Sequence, residues 1–191
     1  MSLPIENRIH TYADYLSWPD NERIEIIDGT PYFQATPSRI HQEKLSELHR
    51  QIANFLIGKE CKVYPAPFHV VFDLEDEANG WENSKNVCEP DISIICDKSK
   101  LDDSGCKGSP DLIIEIISPS TARKDKIEKF NLYERAKVKE YWIVEPQEKI
   151  VSVFTLEENQ RYGRPDLYTE VDEVKVSIFD GLNIDLASVC A

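Results

Sequence analysis

Three short and almost continuous apolar runs constrain the fold of this chain most strongly, and they occupy residues 91–96, 111–117 and 141–145. Runs of this length without alternation are typical of strands that are covered on both faces. Between the second and third runs, residues 119–121 break the chain and offer helix caps, and residues 122–136 follow as a basic helix. This order predicts a strand, helix, strand crossover at the centre of a sheet.

Other segments add helices and strands around this centre. The Asp28-Gly29 pair is a hairpin dipeptide, and apolar residues at helical spacing between Ser38 and Gly58 predict the longest helix. The predicted helices are residues 11–18 and 38–58, the predicted strands are 23–27, 30–34, 150–156 and 173–179, residues 63–73 are an extended edge and a strand, and residues 74–89 are a polar, acidic loop. We expect one α/β domain over residues 1–191, with helices on a mixed sheet and an N-terminal helix and β-hairpin.

The composition fits a single compact globule of 191 residues with a net charge of −13. A chain of this length buries about 70% of the surface that its unfolded form exposes, without disulfides or structural metal. No window approaches the roughly 20 apolar residues of a membrane span. The first ten residues also lack the apolar core of a signal peptide. We therefore expect a cytoplasmic protein without membrane contact.

The cysteines predict free, reduced thiols. Their number is odd, no two form a Cys-x-x-Cys pair, and no histidine lies near them at zinc-ligand spacing. Reduced thiols are the usual state in the cytoplasm. The five residues are Cys61, Cys88, Cys96, Cys106 and Cys190.

The charge distribution leaves a nucleic-acid partner open despite the acidic total. A protein that neutralises phosphates normally presents a basic face. Residues 122–139 hold seven basic and three acidic side chains, so this stretch carries +4 and the rest of the chain −17. The alternative explanation of this stretch is a solvated helix face with interleaved opposite charges.

Glu115 lies within the second apolar run, where both alternating faces are otherwise apolar. A buried carboxylate is costly unless it is paired with a cation or bound to a metal. Asp91 precedes it by 24 positions, so a neighbouring strand could bring the two carboxylates together. Two hard oxygen ligands suit magnesium or manganese, and the alternative is a salt bridge from Glu115 to a core Arg or Lys. Glu25 is a third candidate, although a strand-surface glutamate is the commoner explanation.

The basic helix carries a lysine that could reach this site. At about 100° per residue, Lys129 shares its side of the helix with Tyr133 and Ala136, so it could face the sheet. A lysine there would hold a phosphate, orient an attacking water or stabilise developing negative charge. The alternative is an exposed ion pair with Asp125, four residues earlier.

His41 opens the long predicted helix and is a candidate substrate contact, although most isolated histidines are structural or surface residues. No Ser or Cys has the local setting of a nucleophile, so a hydrolase triad is unsupported. Tyr141 and Trp142 belong to the third run, where core packing explains them better than base stacking.

Several short sequence segments, taken in order along the chain, resemble those of the Uma (Uma-two) family. This family is a bacterial branch of the PD-(D/E)XK nuclease superfamily, and its members are proposed restriction endonucleases. The match runs from about residue 11 to residue 179, and residues 110–121, a strand with a Ser-Pro-Ser-Thr exit, are its most specific part. The other parts are residues 23–29, Pro37-Ser38 with His41, Glu89-Pro90-Asp91, the series Asp125, Lys129 and Tyr133 at four-residue steps, and residues 140–146.

The resemblance implies a restriction-endonuclease-like α/β core and hydrolysis of DNA phosphodiesters with Mg²⁺ or Mn²⁺. By this analogy Asp91 and Glu115 hold the metal, Glu25 adds a carboxylate and Lys129 is the catalytic lysine. Ile117 stands where the superfamily pattern has its lysine, so the helix must supply the basic group. The candidate substrate contacts are Lys126, Tyr133 and His41.

A protein with a net charge of −13 should bind nucleic acid poorly. The nuclease hypothesis therefore needs a narrow cleft, a homodimer that pairs two basic faces, or a partner protein that delivers the DNA. Replacement of Lys129 by Ala should then abolish cleavage with little loss of fold. The alternative hypothesis is a non-catalytic interaction module on a degenerate nuclease scaffold, which would bind a basic partner through its acidic surface.

Overall fold

The computed structural model of the chain describes residues 8–19, 22–72, 74 and 80–191. A π-helical segment, Lys124–Lys129, runs directly into the third α-helix, and single 3-10 turns lie at Trp81–Asn83 and Lys98–Lys100. The helices and strands are α1 Tyr12–Tyr15, β1 Ile24–Ile27, β2 Thr30–Phe33, α2 Arg39–Leu56, β3 Lys62–Pro65, β4 Val70–Val71, β5 Val87–Cys88, β6 Ile92–Ile95, β7 Cys106–Lys107, β8 Leu112–Ile116, α3 Phe130–Arg135, β9 Glu140–Glu145, β10 Ile150–Thr155, β11 Asp166–Thr169, β12 Glu173–Lys175, β13 Asn183–Asp185 and α4 Leu186–Cys190.

The larger sheet has six strands in the order β11-β10-β9-β8-β6-β3. Strands β8 and β9 are parallel and the other neighbours are antiparallel, so the sheet is mixed. The chain joins the parallel pair through the π-helical segment and α3, which confirms the predicted crossover. Parallel strands require such a connection because a tight turn joins only antiparallel neighbours.

The second sheet has five strands in the order β2-β1-β5-β4-β7 and contains the predicted N-terminal hairpin. Asp28 and Gly29 form the turn, with φ of 48° and 77°. Positive φ at both central residues is the conformation that a type I′ hairpin turn needs, and Asp-Gly adopts it readily. Strands β12 and β13 form a separate antiparallel pair.

The two faces of the six-stranded sheet pack against different layers. On one face, Leu112 and Ile114 of β8 belong to a buried cluster with side chains of α2 and α4. On the other face, Ile113 and Ile117 pack with α3 and with the second sheet. Because strand side chains alternate, Glu115 shares the face of Ile113 and Ile117. Its carboxylate therefore lies under the helix that follows β8.

Helix α2 agrees closely with the prediction over residues 38–58. Ser38 is its N-cap, and the Ser38 hydroxyl accepts the backbone N–H of His41 at 3.2 Å. The predicted apolar face packs against the sheet, and its buried residues are Leu45, Leu48, Ile52 and Leu56. Although α2 has 18 residues, it is amphipathic, and in the described part of the chain no helix is long and apolar enough to cross a bilayer.

Several boundaries differ from the predictions. Helix α1 is a single turn within the predicted residues 11–18, and strand β12 ends earlier than the predicted residue 179. The helix predicted at residues 122–136 is π-helical before it becomes α-helical. Residues 74–89, expected as a loop, contain a 3-10 turn and β5. Residues 73 and 75–79 of the predicted strand and loop lie outside the described residues.

Four elements were not predicted at all: β7, β11, β13 and α4. None of them exceeds five residues, so none shows a hydrophobic period that a sequence window could detect. Tertiary pairing defines these elements, since β11 forms its ladder with β10 and β13 forms its ladder with β12.

Cys61 and Cys96 form a disulfide, which corrects the expectation of five free thiols. The antiparallel register of β3 and β6 aligns Lys62 with Ile95, so the residue beyond each end faces its counterpart. The two cysteines are 35 positions apart, and no local spacing signals the pair. The remaining thiols are Cys88 and Cys106, which are buried, and Cys190, which is half-buried.

Candidate active site

Glu115 projects from the middle of the six-stranded sheet into a layer of polar helix side chains. Its side chain is only 4% exposed. Oxygen Oε1 accepts hydrogen bonds from Lys129 Nζ at 2.8 Å and from the Tyr133 hydroxyl at 2.7 Å. The cation that the sequence requires beside Glu115 is therefore Lys129, from the helical segment that follows the strand.

Lys129 is buried among three carboxylates. Its Nζ lies 2.7 Å from Glu25 Oε1, 2.8 Å from Glu115 Oε1 and 3.7 Å from Asp125 Oδ1. Burial alone would lower the pKa of Lys129, but the charges of the three carboxylates outweigh it and hold that pKa well above its usual value. Lys129 thus faces the sheet as predicted, and the alternative of an exposed pair with Asp125 is wrong.

Glu25 is completely buried, so the strand-surface explanation of this residue is also wrong. Oε1 of Glu25 accepts a hydrogen bond from the backbone N–H of Glu89 at 3.1 Å and also contacts Lys129. Oε2 of Glu25 accepts a hydrogen bond from Lys124 Nζ at 2.6 Å. Burial opposes ionisation, but Lys129 and Lys124 outweigh it and lower the pKa of Glu25. Glu25 therefore stays ionised and holds two lysines in place.

Asp91 lies directly before β6, whose pairing with β8 aligns Ile92 with Ile114. One step further along the same register, Asp91 stands opposite Glu115. Asp91 Oδ2 accepts the backbone N–H of Ile116 at 2.7 Å and lies 3.0 Å from Nε2 of His41. The neighbouring strand and the first turn of α2 thus fix the orientation of this carboxylate.

The proximity of several carboxylates affects the ionisation of Glu115. Burial raises its pKa to about 8, with further contributions from the charges of Asp125, Asp91 and Glu25, against the opposing charge of Lys129. A site with this excess of negative charge favours the approach of a cation.

A pocket of about 420 Å³ opens where β6 and β8 meet α2 and the π-helical segment. Asp91, Glu115 and Lys129 all line it, and His41 is the one predicted substrate contact that does so. Tyr133 does not line the pocket, because it is buried and its hydroxyl donates to Glu115. Lys126 does not line the pocket itself, but it donates to Glu145, a residue that does, at 2.5 Å.

Lys124 is a pocket residue that the sequence did not single out. It stands five positions before Lys129, and at about 100° per residue an α-helix would place the two side chains about 140° apart. The backbone between them is π-helical, so hydrogen bonds join residues five apart and stack them on one side. No sequence pattern signals a π turn, so spacing could not have identified Lys124.

Most of the basic side chains at residues 122–139 are already paired, which bears on nucleic-acid binding. Six of the seven form ion pairs with carboxylates, and Lys137 donates to the backbone carbonyl of Gln160. The six pairs are Arg123–Glu128, Lys124–Glu25, Lys126–Glu145, Lys129 with Glu25, Glu115 and Asp125, Arg135–Asp28, and Lys139–Asp111. This stretch is therefore not a free cationic face, and interleaved opposite charges describe it better.

The donor set at the pocket fits a hard divalent cation held partly by solvent. Within the described ranges, no three His, Cys, Asp or Glu side chains group as metal ligands. Asp91 Oδ1 and Glu115 Oε2 accept no hydrogen bond from any described residue, so each carboxylate keeps one oxygen for a ligand. Mg²⁺ is commonly bound by one or two carboxylates together with waters and substrate phosphates. The two carboxylates are suitable for Mg²⁺ or Mn²⁺ in this mode.

Comparison with known proteins connects this geometry to a family and a fold. The family model Uma2, described as "Putative restriction endonuclease", matches residues 12–187. The uncharacterized protein slr1290 of Synechocystis sp. is 30% identical over 122 residues, which are 63% of this chain and 60% of that relative, so the chain spans less than two thirds of its length. The crystal structure of a putative nuclease of DUF820 from Anabaena variabilis has a TM-score of 0.74 at 17% identity, over 94% of this chain and 97% of that one.

These similarities confirm the predicted fold class and the predicted family. The Anabaena structure shares the mixed α/β fold over nearly the whole of both chains. The family model extends from α1 to α4 and so includes every residue of the pocket described above. The chain belongs to the Uma2 family of putative restriction endonucleases.

Proposed function

We propose that this protein is a divalent-metal-dependent endonuclease that hydrolyses phosphodiester bonds of DNA. The observation that carries the proposal is the convergence of Asp91, Glu115 and Lys129 on one pocket from two strands and a helix. The family description and the Anabaena nuclease-like fold support the same class of reaction.

Asp91 and Glu115 would hold the cation through the oxygens that no described residue bonds. When bound there, Mg²⁺ or Mn²⁺ would polarise a phosphoryl oxygen and lower the pKa of a coordinated water. His41 and the N–H of Ile116 both contact Oδ2 of Asp91, so they orient this carboxylate and leave Oδ1 for the cation. Such partners of ligating carboxylates fix geometry and strengthen metal binding.

Tyr133, Lys129 and Glu25 prepare the second ligand. Tyr133 and Lys129 both donate to Oε1 of Glu115, which leaves Oε2 for the cation. Lys129 also offsets the mutual repulsion of Glu25 and Glu115, which would otherwise favour their protonation. Glu25 thus positions Lys129, and the charge of Lys129 opposes the protonation of Glu115 that burial favours. Charges fixed in this way are the preorganisation that charge stabilisation in a transition state requires.

The acidic surface restricts how DNA reaches the pocket. With a net charge of −13 and the basic stretch largely paired, the chain offers little long-range attraction for a polyanion. We infer that phosphate contacts concentrate at the pocket, and that a second copy of the chain or a partner protein supplies the remaining cationic surface in the cytoplasm.

The test is cleavage of supercoiled plasmid and of single-stranded DNA with Mn²⁺, Mg²⁺ or chelator. Asp91→Asn and Glu115→Gln are compared with Asp103→Asn and Glu158→Gln, which make the same chemical changes at exposed positions. We expect metal-dependent cleavage by the wild type and both controls, and none by the two site variants. Absence of cleavage together with absence of a metal-dependent rise in Tm would contradict the proposal and favour the non-catalytic interaction module.

A further inference from the structure

Two lysines meet at Glu25, and their surroundings differ. Lys129 approaches Oε1 and Lys124 approaches Oε2, at 2.7 and 2.6 Å. The Lys129 side chain is 3% exposed, whereas the Lys124 side chain is 13% exposed. Both line the pocket, and Lys124 is the more exposed of the two.

The hydrogen-bonding capacity of the two ammonium groups also differs. A lysine ammonium carries three N–H donors. Lys129 Nζ lies within hydrogen-bond distance of Glu25 and Glu115, and Asp125 is 3.7 Å away, so at most one of its donors is left for a ligand. Within the described residues, Lys124 donates to Glu25 alone and lies 5.8 Å from the centre of the Tyr32 ring. Lys124 therefore retains two donors that a ligand in the pocket can use.

The π-helical segment Lys124–Lys129 is the reason that both lysines reach Glu25. A continuous α-helix would direct Lys124 away from the side that faces Glu25, because five residues correspond to about 140° beyond a full turn. The wider π turn brings both lysines onto the same carboxylate. Single π turns within helices are uncommon and occur frequently at functional sites.

We propose that Lys124 binds a nonbridging oxygen of the scissile DNA phosphate, while Lys129 neutralises the buried carboxylates. This assignment rests on the proposed nuclease function and assigns the substrate-facing cation within that site. Glu25 is then a positioning residue, since its two oxygens set the places of both lysines. The pocket thereby retains a lysine ammonium for phosphate beside Arg23, which also lines the pocket and pairs with Glu89 through Nε.

The assignment is tested with Lys124→Met and Lys124→Arg, beside the wild type and Lys139→Met. Lys139 is a matched control, because it also pairs with one carboxylate, Asp111, and does not line the pocket. Two quantities are measured: kcat/KM for plasmid nicking with Mn²⁺, and the salt dependence of duplex affinity with Ca²⁺. Thermal unfolding checks each fold, and Lys124→Gln replaces the methionine variant if that variant does not fold.

We expect Lys124→Met to lower kcat/KM about 10- to 150-fold, the factor for loss of one hydrogen bond from a charged group. The slope of log duplex affinity against log salt should become shallower by about 0.9, since one phosphate contact is lost. Lys124→Arg should retain most of both quantities, and Lys139→Met all of both.

Two outcomes would overturn the assignment and leave the nuclease function standing: an unchanged kcat/KM in Lys124→Met, or a reduced kcat/KM with an unchanged salt slope. Absence of cleavage by the wild type with every metal contradicts the nuclease function, and with it the assignment of Lys124. The two failures are therefore distinguishable in one set of measurements.

Discussion

Replacement of Lys129 by methionine should strongly destabilise the fold, because this lysine compensates charges that cannot reach water. Its Nζ lies 2.7 Å from Glu25 and 2.8 Å from Glu115, and all three side chains are at most 4% exposed. Removal of one partner from a buried ion pair costs about 3–5 kcal/mol, since an uncompensated charge remains. The expectation from sequence, that Lys129 could be replaced with little loss of fold, therefore needs correction.

In a chain of this size, each kcal/mol shifts Tm by about 2–4 °C, so the expected loss is about 6–20 °C. Lys126→Met is the matched control, because Lys126 pairs with Glu145 while 44% of its side chain is exposed. An exposed pair of this kind contributes about 0–1 kcal/mol. Free energies of unfolding from urea titrations, followed by circular dichroism, compare the two variants with the wild type.

The difference between wild type and Lys129→Met should also depend on pH. In the wild type, Lys129 and Lys124 lower the pKa of Glu25, so this carboxylate contributes stability above its unfolded pKa that is lost as pH falls. In the variant the buried carboxylates become neutral at low pH, which relieves the penalty. The difference should therefore be larger at pH 8 than at pH 5. A loss as small as that of Lys126→Met, or a difference that grows toward acid pH, would refute the reasoning.

Two further predictions concern the thiols and His41. In the native protein a thiol reagent at pH 8 should modify Cys190 first, because burial raises the pKa of Cys106 to about 12 and that of Cys88 well above its usual value. After unfolding, the reagent should detect three thiols without reductant and five with reductant. Detection of five thiols without reductant would contradict the disulfide. His41→Ala should weaken Mn²⁺ binding about 10- to 100-fold, measured by the metal-dependent rise in Tm, because it removes an orienting partner of Asp91. His49→Ala on the same helix is the control, and equal affinities in the two variants would refute the orienting role.

The sequence predicts those parts of the fold in which local pattern and tertiary packing agree. The run at residues 111–117 becomes β8, and its single interior carboxylate, Glu115, meets the cation that burial demands. The Asp28-Gly29 turn and the apolar face of α2 follow from backbone preference and periodicity. Asp91 could be paired with Glu115 because neighbouring strands bring together residues that are distant in sequence.

The remaining features depend on contacts that no local window contains. The Cys61–Cys96 disulfide follows from the register of β3 with β6, and that register is set by the whole sheet. The π turn that brings Lys124 to Glu25 replaces the standard helical period, so angular reasoning from sequence assigns Lys124 to another side. Tyr133 lies on the inner side of the helix as the angular reasoning predicts, and the finding that its hydroxyl donates to Glu115 needed the three-dimensional structure.

The most direct measurement of the proposed metal site is anomalous diffraction from crystals of the wild-type protein soaked in Mn²⁺. We expect one peak in the pocket, at about 2.1 Å from an oxygen of Asp91 and an oxygen of Glu115, the ligand distance of an octahedral Mg²⁺ site. Lys129 should remain within hydrogen-bond distance of Glu25 in the same crystals. Absence of a peak between Asp91 and Glu115 at saturating Mn²⁺, with Lys129 still bonded to Glu115, would contradict the proposal that these carboxylates hold a catalytic metal.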